Sequence, residues 1–176
     1  MRKMKLATIW LDGCSGCHMS LLDLDTALIP VARRVDLVYG PLVDAHEFPE
    51  DVDVTFIEGA VSTHEDVEKV QQIRQNSKIV VSLGDCAVTG NVAAMRNTVS
   101  VKKLMQSIYV EKSDRDRLIP DENLPQLSPL CRPVQDFVKI DISVPGCPPP
   151  SKMIGELLDN LLDNRKPDAA LKLRFG

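Results

Sequence analysis

Short apolar runs, alternating with stretches that bury one helical face, constrain this chain more than any other feature. Segments 5–11 (KLATIWL), 52–57 (VDVTFI) and 78–83 (KIVVSL) are largely apolar and run into Asp12-Gly13, Glu58-Gly59 and Gly84-Asp85. Runs of that length and character read as strands, and the continuous ones as strands covered on both faces, as in a parallel sheet. Val35–Tyr39 is a further short strand, stopped by Gly40-Pro41. Segment 138–144 alternates Val138, Ile140, Ile142 and Val144 with Lys139, Asp141 and Ser143, which predicts one wet face and a place near a sheet edge. Helical spacing predicts helices over 19–29, ended by Pro30, from Ser62 or Thr63 to about Gln75, over 99–109 and over 152–164. Ser62-x-x-Glu65 has the form of a capping box, and Ser151 is placed to cap the last helix.

Strands alternating with helices imply a mostly parallel sheet joined by right-handed crossovers. Five strands in this rhythm predict an α/β, flavodoxin-like sheet of order 2-1-3-4-5 with helices on both faces. A length of 176 residues suits a single domain over 1–176. Segment 111–133 opens with charges and carries prolines at 120, 125, 129 and 133, so it reads as a surface excursion. The net charge of −4 offers no footprint for nucleic acid or an anionic membrane surface. No apolar run reaches the roughly 20 residues a bilayer span needs. The basic start, Met1-Arg2-Lys3-Met4-Lys5, meets Asp12 too soon for a signal peptide. A cytoplasmic location is therefore expected.

The five cysteines include one close pair, Cys14-Ser15-Gly16-Cys17. In a reducing compartment such a pattern points to metal or redox chemistry rather than to a disulfide framework. Cys14 and Cys17 follow the first predicted strand, Cys86 (in LGDC) the fourth and Cys147 (in PGCPPP) the fifth. Ligands of such sheets sit beyond the carboxyl ends of the strands, so all four cysteines are expected at one edge. A CxxC alone serves zinc sites, redox disulfides and clusters alike. Zinc sites usually bring two close pairs, whereas here two cysteines stand singly on their own loops, a scatter that an iron–sulfur cluster tolerates. A cluster on Cys14, Cys17, Cys86 and Cys147 is the expectation; a zinc site and a thiol–disulfide protein using Cys14 and Cys17 are the alternatives.

Other residues are less decisive. Cys131, in the proline-rich excursion, reads as an inert loop or buried thiol. His18 either bonds a cluster sulfur or faces a partner, or merely starts a helix. Glu58 points to the cysteine edge, as a tuning group or as a solvated loop acid. Asp85 caps the turn into the next helix, and Asp12, His46 and His64 carry no role.

Four ordered motifs now stand out: CSGC (14–17), EGAV (58–61), GDCAVTGN (84–91) and PGCPP (145–149). Together they resemble the small subunit of nickel–iron hydrogenases and its relative, the 20-kDa subunit of respiratory NADH:ubiquinone oxidoreductase. The respiratory form typically has adjacent cysteines at the first motif, so the CxxC here resembles the hydrogenase branch. His18 stands where many hydrogenase small subunits have Glu, and no role of that acid is carried over. CSGCHMSLLDLD (14–25) is most similar to the short subunit of cytoplasmic NAD-reducing hydrogenases.

Longer small subunits hold two further clusters in a C-terminal extension, whereas no cysteine follows Cys147 and no twin-arginine signal is present. The resemblance thus implies one proximal 4Fe–4S cluster bound by Cys14, Cys17, Cys86 and Cys147, with no catalytic residue in this chain. It implies a hydrogen:NAD oxidoreductase whose nickel–iron site lies in a large-subunit partner, since no second CxxC is present to bind nickel. Diaphorase subunits with iron–sulfur clusters, FMN and NAD would take the electrons onward. An apolar face around residues 13–18 is then expected within an interface. Another cytoplasmic hydrogenase, methanogen-type among them, or a respiratory-complex-like oxidoreductase is the alternative parent. The fold analogy also admits FMN on this chain, although the cysteine motif occupies the loop where a flavin phosphate usually sits.

Overall fold

The computed structural model describes residues 2–115 and 117–165. In chain order the elements are β1 (Met4–Trp10), α1 (Gly16–Leu22), a 3-10 turn (Asp25–Ala27), α2 (Leu28–Arg34), β2 (Val35–Tyr39), β3 (Val52–Glu58), β4 (Val61–Thr63) and α3 (His64–Asn76). They continue with β5 (Ser77–Leu83), α4 (Asp85–Thr89), a 3-10 segment (Ala93–Thr98) and α5 (Val101–Gln106), which runs into a π turn (Ser107–Glu111). The rest are β6 (Leu127–Arg132), a 3-10 turn (Val134–Asp136), β7 (Ile142–Val144) and α6 (Ser151–Leu162).

The main sheet has order β2-β1-β3-β5-β7 and every pairing is parallel. With the short ribbon strands β4 and β6 set aside, this is the expected 2-1-3-4-5 order of a flavodoxin-like α/β fold. Trp10 pairs with Glu58, Glu58 with Leu83 and Leu83 with Val144, so four strands end level at their carboxyl edge.

Alternation along the strands loads both faces. Leu6, Val54, Phe56, Val81, Leu83 and Val144 pack against Ile154, Leu157, Leu158 and Leu161 of α6. Ile9, Ile57 and Val80 face the other way, onto Val70 and Ile73 of α3. Among the described residues no helix is long and apolar enough to cross a membrane.

Several local expectations are corrected. The first helix is split, with α2 starting again at Leu28, and Pro30 lies in the first turn of α2 rather than ending α1. A proline in a first turn removes an N–H that has no intrahelical partner. The capping box of α3 is formed by Thr63 and Asp66, not by Ser62 and Glu65. Ser151 is the first residue of α6, and no side chain caps that helix.

The edge strand β7 covers only Ile142–Val144, because the Asp141 carboxylate takes the Val80 amide at 2.8 Å and binds Arg74. The second half of the 111–133 excursion is ordered as β6, antiparallel to β4 and burying Ser128 and Cys131. Its proline-rich composition disguised it, since prolines are tolerated on strands paired along one side only.

Candidate metal centre

Because four strands end level, the loops that follow three of them open at one edge. Cys14 lies in the turn after β1, Cys17 in the first turn of α1, Cys86 in α4 directly after β5, and Cys147 in the loop after β7. Cys17 is buried and Cys86 half-buried, whereas Cys14 and Cys147 are exposed. Burial, then the charges of Glu58, Cys14, Cys86 and Cys147, push the Cys17 thiol far above its ordinary pKa. Burial, then Cys147 and Cys14, raise Cys86 in the same direction.

Bonds between the loops hold this arrangement. The Gly84 amide donates to the Val144 carbonyl at 2.7 Å and the Asp85 amide to the Gly146 carbonyl at 2.9 Å. The Asp85 carboxylate accepts the Gly146 amide at 2.7 Å, so Asp85 ties the Cys86 loop to the Cys147 loop instead of merely capping a turn. The buried Ser20 hydroxyl of α1 donates to the Pro149 carbonyl, and the Asn91 amide nitrogen reaches Cys147 Sγ at 3.5 Å. Gly84 passes so close to Cys17 that a Cβ there would lie 2.2 Å from its Sγ.

Glu58 ends β3 and is 2% exposed, so the solvated-acid reading of this residue is wrong. Ser15 gives α1 no side-chain cap, and Glu58 takes that part from across the sheet. Its Oε1 accepts the Cys17 amide at 3.2 Å, and its Oε2 accepts the His18 amide at 2.9 Å together with the His18 ring Nδ1 hydrogen. Burial alone would raise the Glu58 pKa, but the His18 ring, then the His18 and Cys17 amides, hold it below the usual carboxylate range. The other ring nitrogen, His18 Nε2, is buried without a partner.

Four sulfur donors on loops at one sheet edge set a clear chemical condition. Each thiolate disfavours its neighbours' ionisation, so all four ionise together only around a positively charged core. An all-thiolate donor set from several loops suits an iron–sulfur cluster. The residues present fit a four-thiolate cluster.

Cys131 lies on β6, away from the loops that carry the other four cysteines. It is buried, its amide and carbonyl are both held by the Asn97 side chain, and burial pushes its thiol up to about 11. A recess lined by Arg2, Arg33, Asp53 and Lys78 lies at the opposite, amino end of the strands. Asn91 and Ser20 escaped sequence reasoning altogether. The GDCAVTGN motif contains Asn91, but nothing in a linear pattern aims its amide at a cysteine 56 residues away.

The family described as NADH ubiquinone oxidoreductase, 20 kDa subunit, matches residues 14–161, and the chain belongs to it. Within that family the similarity runs to hydrogenase subunits. The chain is 37% identical over 172 residues to a vhu subunit of the F420-non-reducing hydrogenase of Methanocaldococcus jannaschii; the match covers 97% of this chain but 60% of that longer one. It is 37% identical over 168 residues to the delta subunit of the NAD-reducing hydrogenase HoxS of Cupriavidus necator, covering 93% and 80%. A chain in the crystal structure of an NAD+-reducing NiFe hydrogenase in the H2-reduced state superposes with a TM-score of 0.94 at 35% identity, over 99% of this chain and 100% of that one. The kinship that the four motifs implied is borne out.

Proposed function

We propose that this chain is the electron-transfer small subunit of an NAD-reducing nickel–iron hydrogenase of the cytoplasm, with Cys14, Cys17, Cys86 and Cys147 holding one 4Fe–4S cluster. The observation that carries this is that Cys14, Cys17, Cys86 and Cys147 follow three strands whose carboxyl ends are level, on loops tied to one another through Asp85, Gly84, Gly146 and Ser20. When bound, the cluster supplies a one-electron redox centre between a hydrogen-splitting large subunit and diaphorase subunits.

The chain's own residues do the holding. Asp85 and the Gly84 and Gly146 backbone lock two cysteine loops together, Ser20 fastens α1 to the proline segment, and Glu58 fixes the start of α1. The close superposition on the NAD+-reducing enzyme favours NAD as the final acceptor. Equal 37% identity to an F420-non-reducing hydrogenase subunit supports a second reading, a hydrogenase with a different acceptor.

The test is iron and acid-labile sulfide per chain in the anaerobically purified complex, for the wild type and Cys147→Ser. About four of each in the wild type is expected, with loss or degradation of the cluster and of hydrogen-dependent NAD reduction in the variant. No iron, or one zinc, in the wild type would sink the cluster; full hydrogen-dependent activity in Cys147→Ser would do the same. Hydrogen oxidation that leaves NAD untouched and reduces another carrier would select the second reading.

A further inference from the structure

A helix that starts beside an anionic centre ordinarily offers that centre its free first-turn amides. In this chain two of them are already taken. The Cys17 and His18 amides both point into the Glu58 carboxylate, and the His18 ring Nδ1 donates to the same group. Glu58 is 2% exposed and stands at the end of β3, level with Trp10 and Leu83. A fixed negative charge therefore lies against Cys17, and the donors that would soften it are spent on it.

We propose that Glu58 and His18 are positioning residues that lower the reduction potential of the cluster held at this edge. Glu58 withdraws two amide hydrogens and adds a carboxylate charge, while the His18 ring limits that charge to a set value. The inference rests on the iron–sulfur reading above. Its physical basis is general: hydrogen bonds to sulfur and positive surroundings favour the reduced cluster, whereas a neighbouring anion and missing donors favour the oxidised one. Each group has a distinct sign. Loss of the carboxylate charge raises the potential, and loss of the His18 ring leaves that charge less screened and lowers it.

The experiment is a redox titration followed by electron paramagnetic resonance, with iron counted in every sample, on the complete complex carrying Glu58→Gln, His18→Leu or His18→Asn. The last of these substitutions preserves a donor near the position of Nδ1. The expected result is full iron throughout, a positive shift for Glu58→Gln, a negative shift for His18→Leu and a value near the wild type for His18→Asn. Full iron with an unmoved or lowered potential in Glu58→Gln overturns the proposal. Should Glu58→Gln lose its iron, the two His18 variants decide: a negative shift in His18→Leu but not in His18→Asn upholds the pair, and equal potentials overturn it. Wild-type complex without iron on this chain would instead refute the iron–sulfur reading.

Discussion

Gly84 shows how little freedom a single position has at this edge. Its φ of +84° is one that L side chains rarely adopt, and a Cβ would stand 2.2 Å from Cys17 Sγ. Gly84→Ala is therefore expected to cost at least about 2 kcal/mol, read as a lowered urea midpoint together with reduced iron content. Asp141 carries a pH dependence. Burial would raise its pKa, but the Arg74 guanidinium and the Val80 amide outweigh that and hold it below the usual carboxylate range. The folded state thus binds fewer protons than the unfolded state, and the Asp141 contribution is present above pH ~4 and is lost as the pH falls through the lowered value. The stability gap between wild type and Asp141→Asn, about 1 kcal/mol at pH ~6, is expected to close on acidification. An unchanging gap would show that the ion pair carries none of it. At this scale the four cysteines were legible, because each follows a recognisable strand end. The part played by Glu58 was not, since a carboxylate that caps a helix 41 residues earlier leaves no mark in local pattern.

Among the elements, α6 was plain from its apolar stripe alone, and Leu157 and Leu158 of that stripe are fully buried. Leu158→Ala is expected to lower stability by about 2–5 kcal/mol, measured by chemical denaturation. The cap of α3 is a smaller matter: Thr63→Ala removes an acceptor for the Asp66 amide and is expected to cost about 1 kcal/mol while leaving iron content unchanged. A loss of iron in that variant would mean that the β4–β6 ribbon supports the cysteine edge. The break between α1 and α2 could not be read from periodicity, because Leu21, Leu22, Leu24, Leu28 and Ile29 keep helical spacing straight through it. Within the break Asp25 takes a left-handed backbone, with φ of +49°. The Leu24 side chain lies where Gly155 of α6 has no Cβ, a gap that a methyl group would close to 2.8 Å. The β6 strand was hidden for a similar reason, its pairing with β4 being a long-range contact unannounced by composition.

For the molecule as a whole, the cysteine edge is bordered by apolar side chains left in the open. Trp10 is 48% exposed and Met19 55%, where an interface around residues 13–18 was expected. Trp10 is the only tryptophan in the chain, and its indole N–H donates to the Gly13 carbonyl at 3.0 Å, which makes it a reporter for this edge. Its fluorescence is expected to shift to the blue when the chain assembles with a large subunit; an unchanged spectrum would place that interface elsewhere. The sheet order was legible because parallel α/β topology follows from a few rules of connection, whereas the side facing a partner depends on atoms the chain does not contain. The same topology imposes a schedule. Cys147 follows β7, the last strand of the sheet in chain order, so every other strand of that sheet has been synthesised before the fourth thiol exists. Anything that needs all four thiols must therefore wait until every strand of the sheet has been synthesised, while α6, the helix that covers one of its faces, is still to follow.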